Sequence, residues 1–300
     1  MTTSLLTLCD LVRYGATTFG EAVLTYGHGT DNAFDEACFI VLESLHLPPE
    51  HLEAFWHARL TEEERSRILK LFEQRVTTRK PAPYLVGKAR CQGYTFFTDE
   101  RAIIPRSFIA EILCGPDTPA PDADDVTRVL DLCTGGGSLA IIAADLFPLA
   151  KVDAVDLSPD ALALAKTNVE AYGFEGRMTL YQGDLFSALP KGVRYDLIIT
   201  NPPYVDAAGM GNLPPEYDAE PKMALDGGAD GLDLVHTILR AAPDYLKPHG
   251  MMICELGRCG PALQAAYPTM AFSWINTENS QGEVFFLTRE ELLELKEMAA

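Results

Sequence analysis

Asp196-Leu197-Ile198-Ile199-Thr200-Asn201-Pro202-Pro203-Tyr204 is an apolar run that stops abruptly in a polar, proline-stiffened tetrapeptide. Leu197 to Ile199 predict a short buried strand, and Pro202, which has no backbone N–H, forces the chain out of the sheet. Asn201 is therefore expected at a strand end. Two successive prolines fix two φ angles near about −65°, so the Asn201 side chain, the carbonyls of Asn201 and Pro202 and the Tyr204 ring are held with little backbone freedom. That rigidity suits a small, planar, polar group. Asn-Pro alone is more often a proline-stiffened turn capped by its Asn; the full tetrapeptide directly after a strand is far more specific.

Working outward, strand and helix patterns alternate from Thr127 onward. The periodicity predicts strands at 128–132, 151–156, 177–182, 195–200 and 250–255, and helices at 138–147, 159–172 and 231–246. Such alternation implies an α/β fold with a mainly parallel sheet covered on both faces. Residues 272–275 and 284–287 add a terminal strand pair. Ligands of such sheets bind at the carboxyl ends of the strands, where Asn201 falls. The connection 205–229, with Pro214, Pro215, Pro221 and Gly227-Gly228, is too long for a routine loop and is expected to be a substrate-binding loop or lid.

The first strand runs into Asp131-Leu132-Cys133-Thr134-Gly135-Gly136-Gly137, which opens a helix. Glycines there allow a ligand to approach the backbone at a helix N-terminus. Gly135, Gly137 and Ala140 also match a dinucleotide fingerprint, so this loop alone does not choose between a nicotinamide cofactor and S-adenosylmethionine. Asp156 ends the second strand, where a carboxylate accepts ribose hydroxyls. Asp184, after the third strand, is a candidate acceptor for an adenine amine with Leu185 and Phe186 as walls, or else a turn cap. Asn-Pro-Pro-Tyr after a strand resembles the motif by which amino-methyltransferases hold a nitrogen bound to an sp² carbon, and that resemblance separates the two readings in favour of the methyl donor. Cys133 reads as a packed small residue, since no His base for a nucleophile is in evidence.

Upstream, residues 1–80 read as a helical domain, with apolar periodicity through Leu5, Leu8, Leu11 and Val12 and again through Ala37, Ile40, Val41 and Leu45. The clearest helix spans 61–79, opened by a Thr61/Glu64 capping box and closed before Pro81. Tyr26-Gly27-His28-Gly29-Thr30-Asp31-Asn32 is a glycine-hinged loop whose Asp31 or Asn32 caps the next helix, and its His28 reads as structural. Residues 81–112 form a β-hairpin linker with short runs at 84–87, 93–97 and 102–106, and Arg106 is a candidate to reach the site. Residues 113–300 make the α/β domain, entered through an exposed, Pro- and Asp-rich insertion at 115–125 that includes Asp117.

The chain is 47% hydrophobic and 22% charged, ordinary for a soluble globular protein. No apolar run approaches the roughly 18 residues of a membrane span, and the N-terminus lacks a basic signal-peptide region, so a cytoplasmic location with no membrane partner is expected. Seven cysteines without paired spacing predict reduced thiols and no metal site. The net charge of −19 is uneven: residues 113–300 carry 28 Asp and Glu against 12 Lys and Arg. An acidic face opposes phosphate binding, so no direct specific nucleic-acid binding is expected, while a basic protein partner is attracted.

On these motifs the catalytic half resembles the protein-glutamine methyltransferases, and the Tyr26-Gly27-His28-Gly29-Thr30-Asp31-Asn32 loop with the whole-chain layout is similar to their ribosomal-protein branch. The resemblance implies a seven-stranded, Rossmann-like S-adenosylmethionine methyltransferase sheet behind an N-terminal helical recognition domain. It implies methylation of the side-chain amide nitrogen of a glutamine in a large-subunit ribosomal protein, whose basicity fits the acidic half, with S-adenosylhomocysteine as product and no metal. Asn201, Pro202 and Tyr204 are then the catalytic residues. Donor contacts fall to Asp131, Cys133, Thr134, Gly135, Gly137, Asp156, Asp184, Leu185 and Asn201. Substrate contacts fall to Asn201, Pro202, Pro203, Tyr204 and Arg106. Gly136 departs from the Ser or Thr that the family often carries between the glycines. Competing readings are a release-factor glutamine methyltransferase, an adenine amino-methyltransferase, which the charge disfavours, and a donor-binding ribosome assembly factor without turnover.

Overall fold

A computed structural model of the protein describes residues 4–116 and 118–298, so Asp117 lies outside the described chain. The chain opens with helices α1 (Leu8–Glu21), α2 (Ala33–Leu45), α3 (Leu52–Phe55) and α4 (Glu62–Thr78). Both halves of the Thr61/Glu64 capping box form, and Thr7 with Asp10 makes a second one at α1. Asn32 caps α2 by accepting from the Asp35 N–H. Leu8, Leu11, Val12 and Phe19 pack against Ala37, Ile40, Val41, Ile68 and Phe72 in a cluster of their own. On α4 the buried residues are Ile68, Phe72 and the fully buried Arg75.

The linker differs from the sequence expectation. Residues 82–86 are a short helix, α5 (Ala82–Val86), because Pro81 and Pro83 start it and Gly87 ends it at positive φ. The hairpin that follows pairs β1 (Lys88–Cys91) with β2 (Tyr94–Phe97) around Gln92-Gly93, both at positive φ as a tight two-residue turn requires. Residues 102–106 form no strand; Ala102 and Ile104 are buried as irregular chain leading into α6 (Phe108–Cys114), which Ser107 caps.

The main sheet is built from β3 (Arg128–Leu132), α7 (Ser138–Leu146), β4 (Lys151–Asp156), α8 (Pro159–Tyr172), β5 (Met178–Gln182), β6 (Tyr195–Thr200), α9 (Ala207–Met210), α10 (Asp233–Tyr245), β7 (Leu246–Glu255), α11 (Gly260–Ala266), β8 (Ser273–Ile275), β9 (Val284–Thr288) and α12 (Arg289–Met298). Its seven strands run in the order β5-β4-β3-β6-β7-β9-β8, parallel from β5 to β7 and antiparallel through β9 and β8. The period of two explains the layers: Leu197 and Ile199 join the core on one face, Ile198 the core on the other. Strand β7 begins four residues before the expected position, because Leu246 already pairs with Tyr195 before the register slips and Met251 meets Leu197. Lys247-Pro248-His249-Gly250 bulges between those pairs, which is why it reads as a turn.

Strand order reverses between β3 and β6, and this is the crevice where doubly wound sheets hold ligands. The 205–229 connection over it is folded: α9 is followed by single turns at Pro215–Ala219 and Lys222–Ala224.

Candidate active site

Parallel pairing of Leu132 with Thr200 sets the two loops of the crevice side by side, and the Thr200 hydroxyl donates across to the Leu132 carbonyl at 3.1 Å. From β3 the chain turns through Cys133 and Gly135, both at positive φ. Asp131 holds this turn from behind. One carboxylate oxygen accepts from the Thr134 hydroxyl at 2.5 Å and the Ala140 N–H at 3.1 Å, and burial pushes its pKa up to about 7. Asp131 and Thr134 therefore shape the loop, and neither they nor Gly137 faces the adjoining cavity.

That cavity is lined by Cys133, Gly135, Asp156, Asp184, Leu185 and Asn201. Burial raises the Asp156 carboxyl, and backbone N–H groups of Ser158 and Gly135, at 2.8 Å each, partly restore its charge. Each of its oxygens keeps a lone pair for a ligand hydroxyl. Burial likewise pushes the Cys133 thiol up, so it is no thiolate nucleophile. Phe186 does not wall the cavity as expected; it turns into the core and stacks on Tyr245 at 4.5 Å. Leu157 and Met223, 56% and 50% exposed, stand at the cavity instead. Sequence pattern gave no sign of Met223, which arrives from the 205–229 connection.

A second cleft, of about 520 Å³, lies on the other side of Asn201 and is lined by Pro202, Tyr204, Arg106, Tyr217, Glu255 and Gly27 among others. Asn201 borders both spaces. Its side-chain oxygen is buried and has no hydrogen-bond partner within the protein, a costly arrangement in a folded chain. Pro202 and Tyr204 face the second cleft, whereas Pro203 faces the first. Tyr204 donates its hydroxyl to Glu255 at 3.2 Å, and burial, with the Glu255 charge, pushes the phenol well above its ordinary pKa.

Arg106 reaches the second cleft but is not free. Glu220 of the 205–229 connection takes it in a two-pronged ion pair, at 2.5 and 2.7 Å, and also accepts from the Ile104 N–H at 3.0 Å. His28 completes this group, its Nε2 3.5 Å from Glu220 and its ring 4.5 Å from that of Tyr217. Burial alone would raise the Glu220 carboxyl; Arg106 and His28 outweigh it and hold the pKa at about 2. Four residues earlier, buried Glu216 accepts from the Thr25 N–H at 2.9 Å and pairs with Arg79 at 2.8 Å and Arg75 at 3.7 Å. Glu216 thus pins the connection to the N-terminal helical region and Glu220 pins it to the linker and the His28 loop, and nothing in its composition distinguishes them from surface acids.

Comparison with known proteins places the chain. The family model described as the methyltransferase small domain matches residues 120–212. Over 295 residues the chain is 53% identical to the ribosomal protein uL3 glutamine methyltransferase of Bradyrhizobium diazoefficiens, with 96% of this chain and 92% of that protein covered. The chain belongs to this glutamine methyltransferase family. Members of the same name from Bordetella pertussis and Burkholderia pseudomallei are 50% and 47% identical, covering 95% of this chain and 96% and 95% of their own lengths. As a glutamine methyltransferase by family, the chain is an enzyme, and its glycine-loop cavity and Tyr204 cleft meet at Asn201. Among the described residues no helix is long and apolar enough to cross a membrane.

Proposed function

We propose that the protein methylates the side-chain amide nitrogen of a glutamine in a basic large-subunit ribosomal protein, uL3 being the one named for its relatives, in the cytoplasm. The observation that carries this reading is the partnerless, buried Asn201 oxygen at the junction of two cavities. Residues of the glycine-loop cavity fit a methyl donor. Asp156 offers lone pairs to ribose hydroxyls, Leu185 and Leu157 offer apolar walls to an adenine, and Asp184 offers an acceptor to its amine. S-adenosylmethionine, when bound, supplies an electrophilic methyl on a sulfonium and departs as S-adenosylhomocysteine.

An amide nitrogen is a weak nucleophile because its lone pair is delocalised into the carbonyl. Asn201 and the Pro202 carbonyl accept its two N–H bonds, which turns the lone pair toward the glycine-loop cavity, and Tyr204 packs on the amide plane. Positioning and electrostatics then carry catalysis, with no strong base needed before attack. Once the nitrogen takes on positive charge its N–H acidity rises and the proton passes to water. The excess of acidic residues in 113–300 attracts a basic partner and repels nucleic acid, which favours this reading over an adenine methyltransferase. Residues 1–80 serve as the recognition unit, 81–112 as linker and 113–300 as catalytic unit. The Gly27 lining of the Tyr204 cleft brings the first of these directly to the acceptor.

The test is methyl transfer from labelled S-adenosylmethionine to purified uL3, to a release factor and to DNA. The expected result is label on a glutamine of uL3 alone; preferential labelling of the release factor or of DNA would overturn the substrate assignment.

A further inference from the structure

Glu255 touches the clamp through the Tyr204 hydroxyl. It ends β7, paired with Val284 of β9 on one side and one residue beyond the Thr200–Cys254 pair with β6 on the other, level with Asn201. Only 2% of it is exposed, it lines the Tyr204 cleft, and no Lys, Arg or His among the described residues forms an ion pair with it. A buried carboxylate without a cation is costly unless its hydrogen bonds are worth keeping. Three donors converge on it. One oxygen accepts from the Ser107 hydroxyl at 2.6 Å and the Phe108 N–H at 2.9 Å; the other accepts from the Tyr204 hydroxyl at 3.2 Å.

The ring beneath that hydroxyl is gripped as well. Gly257 sits at φ +51°, and a Cβ there would lie 2.6 Å from the Tyr204 ring. The Cys259 thiol donates to the Tyr204 carbonyl at 3.2 Å. Packing at Gly257 therefore sets the ring face and the Cys259 contact the backbone, while the bond to Glu255 sets where the far end of the ring lies.

We propose that Glu255 is a positioning residue for the methyl acceptor: by holding the Tyr204 hydroxyl it fixes the place of the ring on which the substrate amide lies. The inference rests on the glutamine methylation proposed above. It also ties the clamp to the linker, since Ser107 both donates to Glu255 and caps α6.

Glu255→Gln tests this with little change of volume. A Gln carbonyl satisfies Ser107 and Phe108 together, which leaves its NH2 group facing the Tyr204 oxygen and turns an acceptor into a donor. In methyl transfer to purified uL3, E255Q and Tyr204→Phe should each lower kcat about tenfold, with donor affinity by calorimetry within about twofold of wild type. The double variant should fall no further than the worse single one, because both act through the same hydroxyl. Loss in E255Q that recurs in full in the Y204F background, or wild-type kcat in E255Q, overturns the proposal. If the unaltered protein does not methylate uL3 at all, it is the functional reading that has failed. The crystal structure of E255Q then decides the positioning claim: a displaced Tyr204 ring supports it, and a ring in its original place refutes it.

Discussion

Replacing Glu220 by Gln keeps the shape of the side chain and removes the charge that pins the 205–229 connection. The carboxyl is held at about 2 against an ordinary value of 4.5, and its side chain is fully buried. At about 1.4 kcal/mol per unit, that difference is worth roughly 3 kcal/mol of folded-state stability at neutral pH. The figure agrees with the roughly 3–5 kcal/mol lost when one partner of a buried ion pair is removed. Because the folded pKa is depressed, the contribution is present above the unfolded value and disappears as pH falls toward about 2. Urea unfolding at neutral pH should therefore show Glu220→Gln less stable by roughly 3 kcal/mol. Wild-type stability should decline through the window below 4.5, and the variant should lack that part of the decline. A variant within about 1 kcal/mol of wild type, or one with an unchanged pH slope, would refute the account of Glu220 as a buried tether.

Other expectations follow from the same geometry. Asn201→Ala should cost roughly 3 kcal/mol or more of transition-state stabilisation, read as at least about a hundredfold loss of kcat with donor binding retained. Near-normal turnover would remove Asn201 from the clamp. Asp156→Ala should weaken donor affinity by calorimetry by at least about tenfold, the worth of a charged hydrogen bond. Gly257→Ala places a side chain at φ +51° and 2.6 Å from the Tyr204 ring, so unfolding should show a loss of more than about 1 kcal/mol and turnover should drop. An unperturbed variant would mean that the ring is held less closely than its contacts indicate.

Most of the main sheet is legible in the sequence because burial on both faces leaves short apolar runs, such as Leu197 to Ile199, between strong turn signals. The linker is not. Lys88-Ala89-Arg90-Cys91 carries no β-branched residue, and its strand exists because Gln92-Gly93 turns it onto β2. The start of β7 is hidden by a bulge whose Pro and Gly read as a turn. At the site, Asn201, Tyr204, Gly135 and Asp156 stand out because prolines, glycines and strand ends make them unusual locally. Glu216, Glu220 and Glu255 do not, since a carboxylate's burial depends on partners far away in the chain: Thr25, Arg106 and Ser107 respectively. For Glu255 a faint signal exists, an acidic residue directly after the apolar run Met251 to Cys254 on the strand next to β6. Arg106 was visible as a candidate, but its ion pair with Glu220 recasts it as a wall of the cleft rather than a free cation.

The central claim is that Asn201 presents a glutamine amide of a ribosomal protein to a methyl donor, and mass spectrometry of ribosomal proteins from cells with and without this enzyme tests it most directly. A single methyl group on one glutamine of uL3 should disappear when the enzyme is absent and be restored by the unaltered protein but not by Asn201→Ala. An unchanged uL3, or restoration by the Asn201→Ala variant, would contradict it.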